Sequence, residues 1–186
     1  MEGIEDMFDD SIAETDYNKI IDEYGFDIRE LEKEMGVYQP KMDVKFSKEN
    51  SDVTTPSYAY ETDSGFDLHS TEEITVPPFG RVLVPTGLFF DIPDGYEIQV
   101  RSKSGLAIKQ GLMVLNSPGT VDQGYTGEIK AIIFNTNNNE IRIEKGQKIA
   151  QAVLCPVVSG KWINLIQTKK IEDKDRSDNG FGSTGI

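Results

Sequence analysis

Residues 96–102 read YEIQVRS. Tyr96, Ile98 and Val100 alternate with polar neighbours, a period of two that marks a strand with one face in a core. Outward from this stretch the signal returns in short bursts: ITV (74–76), RVLVPTGLFF (81–90), LMVL (112–115), IKAIIFN (129–135), IRIE (141–144), IAQAVLCPV (149–157) and INLIQ (163–167). Turn signals separate them: VPPFG (76–80), IPDG (92–95), NSPG (116–119), TNNN (136–139) and EKGQ (144–147). Many short strands at close spacing predict an all-β protein, a distorted β-barrel or jelly-roll-like sandwich. One brief helix is expected within KSGLAIKQG (103–111).

The pattern differs before Pro40. Tyr17, Ile20, Ile21 and Tyr24 fall at helical spacing, and Asp27 with Glu30 reads as a capping box before Ile28, Leu31 and Met35. The reading is a small helical hairpin inside an extension, residues 1–40, whose first fifteen residues are too acidic and apolar-poor to fold. Of a net charge of −13, this segment holds −10. A β core is expected over 41–168 and a flexible arm over 169–186. Duplex nucleic acid is an unsuitable partner for so acidic a chain, because neutralising phosphates needs clustered Lys and Arg. No apolar run reaches membrane-spanning length, and MEGIEDMFDD lacks the basic and apolar regions of a signal peptide. The single cysteine, Cys155, excludes an intrachain disulfide and fits a reducing cytoplasm, the expected compartment. Cys155 and Trp162 are expected to pack in the interior. His69, the one histidine, has no Cys cluster with which to hold zinc.

Five glycine-containing stretches carry the chemistry: DSGFDL (63–68), RSKSGLA (101–107), SPGTVDQGYTGE (117–128), GQKIAQ (146–151) and RSDNGFGSTG (176–185). Successive N–H groups in glycine turns form anion nests, and nearby Ser, Thr, Lys and Arg add donors and charge. The inventory suits a phosphorylated ligand. The third stretch reads as a hairpin between apolar strands with Asp122 and Tyr125 near its tip. The last stretch is no P-loop, since no lysine follows its glycines.

In order and spacing, the five stretches together resemble the five motifs of the trimeric dUTPase family, across roughly the last two thirds of the chain. The resemblance implies a homotrimer with shared active sites that cleaves dUTP to dUMP and pyrophosphate with Mg²⁺. Asp122 corresponds to the general base that activates water for attack on the α-phosphorus, and Asn116 to a residue that helps hold that water. Asp67 corresponds to the carboxylate that reaches the metal through its water shell. Backbone groups between Gly119 and Gly127 would read the uracil edge, and Tyr125 would lie against deoxyribose. Ser104, Gly105 and Gln151 would serve the phosphates. The family pattern has Arg where this chain has Lys103, so Arg101 and Lys103 both stand as the phosphate cation. In the closing arm, Phe181 would stack on the base while Arg176, Gly182, Ser183 and Thr184 grip the phosphates. Ser177 and Asn179 stand where the family commonly has glycine.

Two other readings compete. A dCTP deaminase of the same fold would carry a glutamate near Ile132, where AIIF holds no acid. A regulatory binding protein would use residues 1–40 to contact a protein partner; the simpler view is that this segment decorates the trimer.

Overall fold

The computed structural model describes residues 41–175 and 177; the expected helical hairpin lies outside them. From Val44 onward the described residues form one compact unit. Strand β1 (Lys45–Lys48) is followed by β2 (Phe66–His69), β3 (Ile74–Val76), the long β4 (Arg81–Asp91) and β5 (Tyr96–Arg101). A helix of about two turns, α1 (Ser104–Gln110), leads to β6 (Leu112–Val114), β7 (Gly119–Val121), β8 (Ile129–Asn135), β9 (Ile141–Ile143) and β10 (Lys148–Pro156). The all-β expectation and the brief helix are both borne out. No helix among the described residues is long and apolar enough to cross a membrane.

Two antiparallel sheets of four strands, ordered β1-β4-β8-β6 and β2-β10-β5-β7, are joined by the small β3-β9 pair. Their inner faces share one core. Val84, Leu88, Ile129, Ala131 and Ile133 from the first sheet pack with Leu68, Ile98, Val100, Ala150 and Ala152 from the second. Period-two burial is plain in β8, where Ile129, Ala131, Ile133 and Asn135 point inward and Lys130 points out.

Two polar devices hold the edges of this core. At Thr86–Gly87 the β4–β8 register slips, and the two freed N–H groups donate to Oε1 of Glu128 at 3.1 and 2.8 Å. Gly87 sits at φ 66°, a left-handed conformation that glycine adopts without penalty. Asn135 is fully buried, and its Nδ2 donates to the carbonyls of Val76, Pro77 and Asn139 while its Oδ1 accepts from the Asn137 N–H. It thereby ties the β3-β9 pair to the end of β8.

Several expectations are corrected. INLIQ (163–167) forms no strand, and Ile163, Leu165 and Ile166 are exposed; the apolar pattern is there, but no strand among the described residues pairs with it. Trp162, expected to pack, is 73% exposed in a short 3₁₀ turn, Gly160–Trp162. Cys155 lies only partly buried on the outer face of β10, opposite the core-facing Ala150 and Ala152. The Gly119–Val121 segment pairs with β5 and not with β8, so 122–128 links the two sheets and is no simple hairpin. Strand β1 had no legible alternation, and β2 lay hidden in a stretch read as a turn.

Replacing Asn135 by Ala would take a donor from the carbonyls of Val76, Pro77 and Asn139, the first of them buried. We expect a loss of about 2–3 kcal/mol, seen as a lower urea midpoint with an unchanged slope.

Candidate active site

Strand β10 organises one half of the site. Its register sets Gln151 opposite Asp67 on β2 and opposite Arg101 on β5. All three side chains leave the outer face of that sheet, because the inner face carries Leu68, Val100, Ala150 and Ala152. They border a cavity of about 370 Å³ that Asp63, Ser64, Gly65 and Lys103 also line. Gly65 is required there by close approach: a Cβ would stand 2.7 Å from the Ala152 carbonyl oxygen and 2.8 Å from Cγ2 of Val153.

Asp67 is held from two sides. Lys103 Nζ binds its Oδ1, and Lys148 Nζ lies 2.6 Å from its Oδ2. Partial burial pushes the carboxyl up, but hydrogen bonds and charge from both lysines outweigh it and hold Asp67 below its usual range. The same contact raises Lys148. Asp67 is therefore ionised throughout the neutral range. Asp63, the other acid of that stretch, accepts the Tyr60 N–H at 3.0 Å and closes its own turn.

The two candidate cations have different surroundings. Arg101 donates from Nε and Nη2 to Oε1 of Gln99, at 3.1 and 2.6 Å, and Nη2 also meets Sγ of Cys155 at 3.3 Å. Lys103 precedes α1, whose first N–H groups with helical acceptors are those of Leu106 and Ala107. Ser104 and Gly105 thus open the helix with exposed backbone. Ser102 locks this entry: its Oγ accepts the Val114 N–H, its N–H reaches Ser117 Oγ, and its carbonyl accepts Gln151 Nε2 at 3.0 Å. One amide donor of Gln151 therefore positions the loop.

The other half lies elsewhere. A cleft of about 290 Å³ is lined by Leu83, Val100, Val121, Ile129 and Ile132, with Asn116, Gly119, Asp122, Tyr125 and Glu128. Its wall is mostly apolar, suited to a planar ring. Asp122 is exposed at its border and also lines a neighbouring cleft with Gln123 and Gly124. The Asp122 carbonyl accepts the Tyr125 N–H at 2.9 Å, and Tyr125 Oη donates to the Glu128 carbonyl at 2.9 Å. Gly127 lies under the Tyr125 hydroxyl, with no room for a Cβ. Gly119 is buried against Asn116 Nδ2. Glu128 is committed to structure, since its second oxygen pairs with Lys130 at 3.0 Å. The cleft and the Asp67 cavity share no lining residue.

Arg176, Phe181, Gly182, Ser183 and Thr184 lie outside the described residues. Ser177, where the family pattern favours glycine, takes φ 45°, a left-handed conformation that costs a residue with a Cβ. Lys148, Ser102 and Glu128 went unassigned in the sequence. Glu128 and Ser102 stood inside or beside quoted stretches with no spacing to mark them, and alternation alone sets Lys148 on the face away from Gln151.

Comparison with known proteins follows the same geometry. The dUTPase family model matches residues 51–185. A deoxyuridine 5'-triphosphate nucleotidohydrolase of Nautilia profundicola is 45% identical over 144 residues, 77% of this chain and 99% of that one. Its counterpart in Clostridioides difficile is 43% identical over 143 residues, again 77% of this chain and 98% of the relative. Among solved structures, the dUTPase of Staphylococcus bacteriophage 80alpha with dUpNHpp superposes with a TM-score of 0.71 at 25% identity, covering 78% of this chain and all of that one.

Gly65→Ala is expected to force β2 from β10 and cost about 1–3 kcal/mol, as overpacking does. A denaturant titration reads the loss directly.

Proposed function

The chain belongs to the dUTPase family, and on that footing we propose how its own residues carry the reaction. The protein hydrolyses dUTP to dUMP, with pyrophosphate as the balancing product. The observation that carries the residue assignment is the pairing of two unlike cavities. One is an apolar cleft with an exposed carboxylate, Asp122, at its border; the other is a polar cavity with Lys103, Arg101 and Gln151.

Uracil occupies the cleft, where backbone groups between Gly119 and Gly127 read its edge. Cytosine presents the reversed donor pattern and leaves polar groups unpaired, a penalty that such sites turn into strong discrimination. Tyr125, held by its bond to the Glu128 carbonyl, lies against the deoxyribose. Asp122 takes a proton from water as it attacks the α-phosphorus in line, and Asn116 helps hold that water. As the phosphorus–oxygen bond to the β-phosphate breaks, the electron pair leaves with pyrophosphate. Ser104 and Gly105 donate to phosphate oxygens, and Lys103, which adjoins them, supplies the charge by passing from Asp67 to the phosphates, while the Arg101 guanidinium stays on Gln99. Phe181 stacks on the base, and Arg176, Gly182, Ser183 and Thr184 close over the phosphates.

The family uses Mg²⁺, and the residues present fit it in one specific way. Among the described residues no three acidic, His or Cys side chains converge, so the protein offers no cage. An ionised Asp67 on the wall of a polar cavity, where Asp63 is turned to the Tyr60 N–H, matches an ion that keeps its waters and is bound mainly by substrate oxygens. Asp67 would meet it through water. When bound, Mg²⁺ neutralises developing charge and orients the triphosphate.

A homotrimer with shared sites accounts for three features. The cleft and the cavity are separate within one chain. The outer face of the β1-β4-β8-β6 sheet exposes Leu83, Met113 and Leu115 beside Ile132 and Phe134. The unpaired Ile163–Ile166 segment adds further exposed apolar surface. Patches of this kind mark association. The deaminase reading is not favoured, since the second acid in the cleft, Glu128, has both oxygens occupied.

Asp122→Asn should reduce pyrophosphate release by about 10²–10⁴-fold while dUpNHpp still binds, and the parent enzyme should turn over dUTP in preference to dCTP, dTTP and UTP. Normal turnover by the variant would remove Asp122 as the base. Sedimentation equilibrium should return three times the 20.8 kDa chain mass; a monomer with full activity would refute shared sites.

A further inference from the structure

Lys148 is placed by an irregularity in its strand. In β10, Gln151 pairs with Asp67 and Ala150 with Leu68, but the next residue on β2, His69, pairs with Lys148 and not with Ile149. Ile149 is the extra residue of a β-bulge, and it is buried alongside Ala150. Two consecutive side chains thus enter the core. Regular alternation would turn Lys148 to the inner face, opposite to Gln151. The bulge reverses it, so Lys148 and Gln151 flank Asp67 on the same outer face.

The two lysines on Asp67 are not equivalent. Each takes a different carboxylate oxygen: Lys103 holds Oδ1 and Lys148 holds Oδ2. Lys103 borders the polar cavity and immediately precedes Ser104 and Gly105, whereas Lys148 does not line that cavity. Lys148 is anchored in a strand paired to β2, while Lys103 stands in the loop between β5 and α1. An arriving triphosphate competes with Asp67 for Lys103 and leaves Lys148 where it is.

We propose that Lys148 is a positioning residue: re-aimed by the bulge, it keeps Asp67 paired and oriented when Lys103 passes from the carboxylate to the phosphates. The inference rests on the phosphate and metal-water roles given above to Lys103 and Asp67. With Lys148 in place, transfer of Lys103 frees Oδ1 for a water in the cavity, and the half-buried carboxylate never loses both partners. Without Lys148, Asp67 has one cation only, and Lys103 must abandon it to reach the substrate. The exchange makes no covalent change; it trades one ion pair for another.

The test is a double-mutant cycle on the full chain, read as the dissociation constant of dUpNHpp by calorimetry in Mg²⁺. Lys148→Gln should weaken binding by about tenfold, within the usual range of coupling between contacting charges. In an Asp67→Asn background the same substitution should cost no more than about twofold. Lys148→Arg, which restores the charge, should recover the parent affinity. The Lys148 side chain is 56% exposed, so these variants keep the fold, and a thermal melt verifies it. Equal losses in both backgrounds would overturn the inference by making Lys148 a direct phosphate contact, and no loss in either would overturn it by making the residue idle. A folded parent protein that fails to bind dUpNHpp would overturn the substrate reading itself, a result separable from both.

Discussion

Antiparallel pairing of β10 with β2 on one side and β5 on the other sets Asp67, Gln151 and Arg101 in a row across the sheet. These residues come from stretches some 35 to 85 positions apart, and only the hydrogen-bond ladder brings them together. A slip of β10 by one residue would turn Gln151 into the core and expose Ala150 and Ala152. The register is therefore guarded by the same apolar burial that stabilises the domain. Gly65 allows the strands to close, and the Ile149 bulge shifts the alternation at one end without disturbing the row.

Around that row, polar groups tie the loops to one another. Gln151 ties the Ser102 carbonyl, and Ser102 ties β6 and the turn at Ser117. The entry to α1, which the proposal gives to the phosphate oxygens, is consequently tied to three neighbouring segments. Such preorganisation matters because donors that need not move during the reaction stabilise developing charge at least cost. Asp67 follows the same logic with opposite sign. A carboxylate partly removed from water needs cations, and Asp67 has two lysines on separate oxygens, one of which the proposal lends to the substrate. Asp122, by contrast, sits on an exposed loop with no side-chain partner among the described residues.

Much of the fold was legible because one-sided burial writes itself as alternation. Tyr96, Ile98 and Val100 announced β5, and Ile129, Ala131 and Ile133 announced β8. The failures share a cause. INLIQ carries the same apolar signal as a strand, but a strand also requires a partner edge, which sequence does not report. Cys155 continues an apolar run, yet in β10 alternate residues leave the core, and a run of mixed apolar residues does not say which ones. Gly119–Val121 looked like half of a hairpin because its neighbour in sequence was apolar; its ladder partner is β5, across a sheet boundary. Lys148 was hidden for the most local of reasons, a single inserted residue that inverts the count.

The order and residue types of the five motifs were sufficient to place the chain in its family and to single out Asp122, Asp67, Lys103 and Tyr125, because that chemistry depends on side-chain identity and short-range turns. Tertiary structure alone decided that Arg101 is bound to Gln99, that Lys103 and Lys148 divide the oxygens of Asp67, and that the cleft and the phosphate cavity lie apart within one chain. Those outcomes depend on strand register and on distances across sheets. Both are set by long-range pairing, of which a linear sequence carries only the local half.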